Sequence, residues 1–205
     1  MGSKESIKGI ILSAGFSSRM GDFKPLMQVK GKTVVENCLD SMLGCGIEHV
    51  VLVLGYRGKE IEERLQGKYD SRLSIIYNEE YATTDMFHSV KLGISHLGPC
   101  DAFFVLPGDM PDIHKETFFA VRNKWESSGC LIVFPVMDGY RKHPPLIASS
   151  CIPSILSYKG EGGLRSIWRL FEDDIATVAV DDIGCETDLD TWDSYARLIA
   201  RVGKS

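Results

Sequence analysis

Three short segments of this chain are apolar on every side. Residues 50–54 read Val-Val-Leu-Val-Leu, and residues 102–106 read Ala-Phe-Phe-Val-Leu. Residues 7–14 are broken only by Lys8 and Gly9. None alternates polar with apolar, and each stops at a turn: Gly15, Gly55, and Pro107-Gly108-Asp109. A strand without alternation must be covered on both faces, as in a parallel sheet sandwiched between helices. Further strands are expected at 73–77, 131–135 and 175–180. Between and after the strands, helical spacing is read at 33–43, 59–65, 86–97, 116–125, 152–156, 163–171 and 191–201. Strands alternating with helices imply right-handed crossovers, hence a three-layer, Rossmann-like α/β fold with a mostly parallel central sheet. Residues 137–150 break the rhythm with prolines and basic residues, and are expected to form an extended excursion or hairpin over the site.

At 205 residues with no repeat, low-complexity stretch or linker, the chain is read as one domain spanning 1–205. Lys and Arg number 23 and Asp and Glu 28, a net charge of -5. A mildly acidic protein does not attract nucleic acid or anionic lipid, so neither is expected as a partner. No apolar run approaches the ~20 residues that span a bilayer. The six cysteines form no Cys-x-x-Cys pair and no zinc spacing, so they read as core residues of a reduced, cytoplasmic protein.

The loop after the first strand, Gly15-Phe16-Ser17-Ser18-Arg19-Met20-Gly21-Asp22-Phe23-Lys24, holds the clearest chemistry. Its Gly and Ser residues let backbone N–H groups approach an anion, and Arg19 and Lys24 add two cations. It is not a P-loop, because Gly31-Lys32-Thr33 has Leu26 where the first glycine is required. It is not a dinucleotide fingerprint either, since Gly15 and Gly21 have the wrong spacing. Asp109 follows the fourth strand, at the sheet edge where ligands bind. Asp190 lies in Asp188-Leu189-Asp190-Thr191, before the last helix. Asp109 could serve only a turn and Asp190 only a helix cap. Two carboxylates beside a triphosphate would also suit Mg²⁺.

These segments resemble the molybdenum cofactor nucleotidyltransferases, closest to their cytidylyltransferase-like branch. Gly15, Ser17, Arg19-Met20-Gly21 and Lys24-Pro25-Leu26 keep that family's register, with Ser13 in place of an Ala. Matching segments recur in order up to Tyr195. The resemblance implies the nucleotide-diphospho-sugar transferase type of fold. It implies a nucleotide site of Leu12, Ala14, Gly15, Ser17, Ser18, Arg19, Lys24, Gly55, Asn78, Ser89, Gly108 and Asp109. Asp109 and Asp190 would be the Mg²⁺ ligands, and with Arg19 and Lys24 the catalytic set. His143, Glu161, Gly163 and Arg165 would border the acceptor. Departures occur at Asp85 and Lys142, where the family has Gly.

The expected reaction is transfer of a nucleoside monophosphate from an NTP, CTP favoured, to a small phosphorylated acceptor of molybdopterin type, releasing pyrophosphate. A molybdoenzyme or its maturation factor is the implied protein partner. An ionised phosphate nucleophile needs no strong base, so positioning and charge stabilisation suffice. The rivals are a guanylyltransferase, a sugar- or polyol-phosphate nucleotidyltransferase, and a non-catalytic nucleotide binder on the same fold.

Overall fold

The computed structural model describes residues 5–16, 22–160 and 162–203. The chain opens with β1 (Ile7–Ser13), then a small hairpin of β2 (Gln28–Val29) and β3 (Lys32–Thr33). Next come α1 (Val34–Gly44), β4 (Val50–Leu54), α2 (Gly58–Leu65), β5 (Leu73–Tyr77) and α3 (Met86–Ser95). Then follow β6 (Ala102–Pro107), α4 (Lys115–Ser128), β7 (Ile132–Met137), β8 (Tyr140–Arg141) and β9 (Leu146–Ala148). The chain continues with α5 (Ile152–Ser157), α6 (Gly163–Leu170), β10 (Ile175–Ala179) and α7 (Trp192–Val202).

The main sheet runs β10-β7-β9-β6-β1-β4-β5, with β8 paired to β7. Pairs β1·β4, β1·β6, β4·β5 and β7·β10 are parallel. β9 is antiparallel to both β6 and β7. The expected excursion is therefore only partly outside the sheet. Its second half enters between two parallel strands, which turns the expected mostly parallel sheet into a mixed one there.

The lack of alternation has the anticipated cause. Ile11, Leu52, Leu54, Phe104 and Leu106 pack with α1, α2, α4 and α7. Ile10, Leu12, Val51, Val53, Phe103 and Val105 pack with α3, α5 and α6. Successive side chains thus enter two cores, one on each face, which completes three layers. Leu52, Leu54, Phe103 and Ile10 expose essentially no surface. Burying each is worth about 1.5–3 kcal/mol. Among the described residues no helix is long and apolar enough to cross a membrane.

Candidate active site

The carboxyl ends of β1, β6 and β7 surround a cleft of about 850 Å³. Leu12, Ser13 and Gly15 form one wall, and Pro107, Gly108 and Asp109 the floor. Arg141, Lys142 and His143 stand on the far side, and Glu186, Asp188 and Asp190 on a segment that crosses the cleft. This order follows the sheet: β1 lies next to β6, and β9 brings residues 143–145 down between β6 and β7.

Two glycines allow the close packing. Gly108 N–H donates to Leu12 O at 2.8 Å, and a Cβ on Gly108 would stand 2.8 Å from that same oxygen. At Gly55 a Cβ would lie 2.6 Å from Ala14 O. Gly55 and buried Ala14 therefore brace the loop from behind rather than line the cleft. Phe16, which is partly exposed, joins them through rings 5.4 Å from Tyr56 and 5.3 Å from Tyr81. Ser17, Ser18, Arg19 and Glu161 lie outside the described residues.

Lys24 begins a single 3₁₀ turn that Pro25 continues. Its side chain is only 8% exposed, and its ammonium reaches Asp190 Oδ1 at 2.8 Å and Asp109 Oδ2 at 3.9 Å. The two expected metal carboxylates and the expected catalytic lysine, far apart in sequence, thus meet at one point. Asp190 is not the cap of α7. Thr191 is, accepting from Ser194 N–H at 3.1 Å. Leu189, between the two acids, is fully buried and donates its N–H to Asp109 O at 3.2 Å. Asp188 and Asp190 both reach the cleft, as an extended chain alternating around Leu189 requires. Burial raises the Asp109 carboxyl above its ordinary value; Lys24 opposes the shift, and Asp188 and Asp190 reinforce it.

Asp182 is 1% exposed. It accepts from His114 N–H at 2.9 Å, Thr117 Oγ1 at 2.6 Å and Gly184 N–H at 2.9 Å. Those bonds tie the segment bearing Glu186, Asp188 and Asp190 to the segment after Asp109. A carboxylate that accepts three bonds when buried serves as a structural node. Nearby Cys185 lines the cleft, but burial pushes its thiol up to about 12, which leaves it unreactive. All six cysteines are free.

Asn78 and Ser89 do not face the cleft. Asn78 Nδ2 donates to Ser89 Oγ and to Thr84 Oγ1, both at 3.1 Å, and its Oδ1 accepts from Glu80 N–H at 3.0 Å. Their side chains hold the 78–85 loop. Asp85, the departure from Gly, caps α3 by accepting from His88 N–H at 3.0 Å. Gly163 opens α6 close by, where a Cβ would stand 3.5 Å from Asp85 Oδ2. Arg165 is exposed on that helix. Neither lines the cleft as described. His143 does, and burial lowers its pKa, so it stands there as a neutral ring. Its Nδ1 is buried without a protein partner.

Sequence reasoning missed Ser13, Arg141, Lys142 and Glu186. Ser13 Oγ is buried in the cleft wall without a protein partner among the described residues. Lys142 Nζ lies 2.5 Å from Glu186 Oε1. The signal for Lys142 was present as a departure from the family Gly, but Glu186 is a distant partner that no local spacing reveals. Among the described residues no group of three His, Cys, Asp or Glu side chains could hold a metal ion unaided.

A buried lysine and converging carboxylates stand at the carboxyl edge of a three-layer sheet, and the chain is a nucleotidyltransferase of the nucleotide-diphospho-sugar transferase fold. The chain belongs to the MobA-like NTP transferase family, whose domain profile matches residues 9–178. Asp188 and Asp190 fall beyond that match. Over 190 residues the chain is 28% identical to the molybdenum cofactor cytidylyltransferase of Escherichia coli strain K12, covering 93% of this chain and 94% of that one. A nucleotidyl transferase from Methanothermobacter thermautotroptrophicus superposes with a TM-score of 0.81 at 21% identity, covering 97% and 98%. A Mycobacterium tuberculosis H37Rv protein solved as a complex with manganese superposes at 0.76 and 19%, covering 97% and 100%.

Proposed function

We propose that the chain, a single nucleotidyltransferase domain, transfers CMP from CTP to the phosphate of a pterin of molybdopterin type in the cytoplasm. The observation that supports this best is the Lys24 ammonium lying between Asp190 and Asp109 beside the loop wall. The donor and acceptor follow from the whole-length likeness to the cytidylyltransferase of Escherichia coli. A molybdoenzyme or its maturation factor would receive the product.

Asp109 and Asp190 fit a divalent ion, Mg²⁺ in this reading. They are two oxygen donors around one point, the Lys24 ammonium, with the charge of Asp188 nearby. Substrate phosphates would complete such a donor set. Mg²⁺, when bound, supplies neutralisation of phosphate charge.

The rest is done by the chain. Amides of the loop, with Lys24 and Arg19, bind the β- and γ-phosphates. The walls hold the acceptor phosphate in line with the α-phosphorus. An acceptor oxygen forms the new P–O bond, the bond from the α-phosphorus to the bridging oxygen breaks, and pyrophosphate leaves. No side chain need take a proton, because the attacking phosphate oxygen is already ionised. Lys24 then offsets charge building on the leaving group.

Thermal unfolding with CTP, GTP, ATP and UTP, each with and without Mg²⁺, tests the reading on wild type and Asp109→Ala. Ligand at ~100 times its Kd adds about 2.7 kcal/mol, which is roughly 5–10 °C. A Mg²⁺-dependent rise with CTP that Asp109→Ala abolishes is expected. A rise with GTP alone would replace CMP by GMP transfer, and no rise with any nucleotide would overturn the reading.

A further inference from the structure

Three basic side chains stand on the wall facing the phosphate loop across the carboxylates. Their surroundings differ. Arg141 is committed: its guanidinium grips Glu172 through two bonds of 2.7 and 3.2 Å and lies 5.5 Å from the Phe134 ring centroid. His143 is held neutral by burial. Lys142 is different. Its backbone is fixed, the N–H donating to Pro135 O at 2.8 Å, while among the described residues its ammonium pairs with one carboxylate, Glu186 at 2.5 Å, and lies 5.8 Å from the Tyr140 ring centroid. Both side chains are partly in water, Lys142 by 20% and Glu186 by 32%. One such contact, where Arg141 is gripped by two, leaves the ammonium open to competition from an anion entering the cleft.

Position adds to this. In-line transfer puts the attacking group on the far side of the α-phosphorus from the departing pyrophosphate. The loop wall and Lys24 hold the pyrophosphate end, so the attacking group must come from the side of β7 and residues 141–143. Of the three basic residues there, Lys142 is the one whose charge can be turned to a new anion.

We propose that Lys142 reads the acceptor: released from Glu186, its ammonium binds a dianionic phosphate or phosphonate monoester, and Glu186 sets how strongly. The assignment rests on the nucleotidyl-transfer reading above for the direction of approach. It makes the acceptor class one bearing a dianion, and it makes Glu186 an opponent of binding.

Inorganic phosphate, where it is dianionic, is the probe. It is titrated calorimetrically into the protein saturated with Mg²⁺ and cytidine 5′-(α,β-methylene)triphosphate, which fills the nucleotide end. Lys142→Met should weaken phosphate about tenfold, the loss of one charged hydrogen bond. Lys142→Arg should restore most of that, and Glu186→Gln should tighten binding several-fold. A damaged fold would weaken every variant, so the opposite signs separate recognition from structure. Lys142→Met and Glu186→Gln both within twofold of wild type, or both weaker, would overturn the assignment. If the nucleotide analogue gives no heat, the nucleotide reading falls instead. The same variants, titrated with phosphate on the free protein, then still decide for or against Lys142.

Discussion

Two clusters in this molecule use the same parts, carboxylates and a lysine, to opposite ends. In α1, Glu36 is 6% exposed and fully engaged. It accepts from Thr33 N–H at 2.7 Å and Thr33 Oγ1 at 2.6 Å, and pairs with Lys68 at 2.5 Å and Arg64 at 3.4 Å. Burial alone would raise its pKa, yet the bonds from Lys68 and Thr33, with Arg64 beside it, hold it at about 2. In the cleft, Asp109 shares one lysine with Asp190, faces Asp188 as well, and is raised. A carboxylate with more partners than it needs marks structure. One with fewer, opening on a cleft, marks a place for a ligand.

The contrast breaks most easily at its functional end. Asp109→Asn should lower nucleotidyl transfer on the order of 10³-fold, the scale of losing one electrostatic element of a reacting site. Its melting temperature should hold or rise, because one of several crowded negative charges is gone. Pyrophosphate release and calorimetry on the same preparation measure both. A large loss of stability would mean that Asp109 is structural like Glu36.

Lys24→Met should cost about 10²-fold in transfer. Unlike Asp109→Asn it should also destabilise, since it leaves Asp109 and Asp190 facing one another without their shared cation. Opposite stability signs for the two neighbours would sharpen the comparison. Equal signs would remove it.

Glu36→Gln is the converse: transfer unchanged, stability lower by about 2 kcal/mol, reduced from the full shift because Lys68 and Arg64 are partly in water. The folded-state pKa is depressed, to about 2 from 4.5. Its contribution is therefore complete above pH 4.5 and is lost as pH falls toward 2. Denaturant titrations across that window should converge for wild type and Glu36→Gln at the acid end. Curves that stay parallel would show that Glu36 contributes nothing through its charge.

How far the sequence reveals these differences depends on separation along the chain. β1, β4 and β6 were legible because burial on both faces leaves a local mark, an unbroken apolar run. β9 was not. Its three residues, Leu146–Ala148, follow two prolines and take their place from the strands on either side rather than from any pattern of their own. The same holds at the site. Motif order singled out Lys24, Asp109 and Asp190, but not the pairing of the lysine with both acids. The burial of Asp182 was not legible, because its partners at 114 and 117 are remote in sequence and nothing beside it announces them. The bonds that join Asn78 to Ser89 and Thr84 are likewise invisible in sequence, because no local spacing reveals which side chains hold a loop together.

The smallest predicted effect tests the comparison on an uncharged group. Ser13 Oγ is buried in the cleft wall, against Gly108, and among the described residues no protein group bonds to it. A buried hydroxyl left in that state costs roughly 1–3 kcal/mol. Ser13→Ala, which restores the residue expected from the family, should therefore keep or raise the melting temperature. If the wall at Ser13 serves the nucleotide as Asp109 serves the phosphates, the same change should weaken CTP binding by a few-fold, about the value of one neutral hydrogen bond. Calorimetric titration of CTP, set beside the melting curve, reads both. A higher melting temperature with weaker CTP binding would extend the rule from charge to hydrogen bonding. Unchanged CTP affinity would confine that rule to the carboxylates.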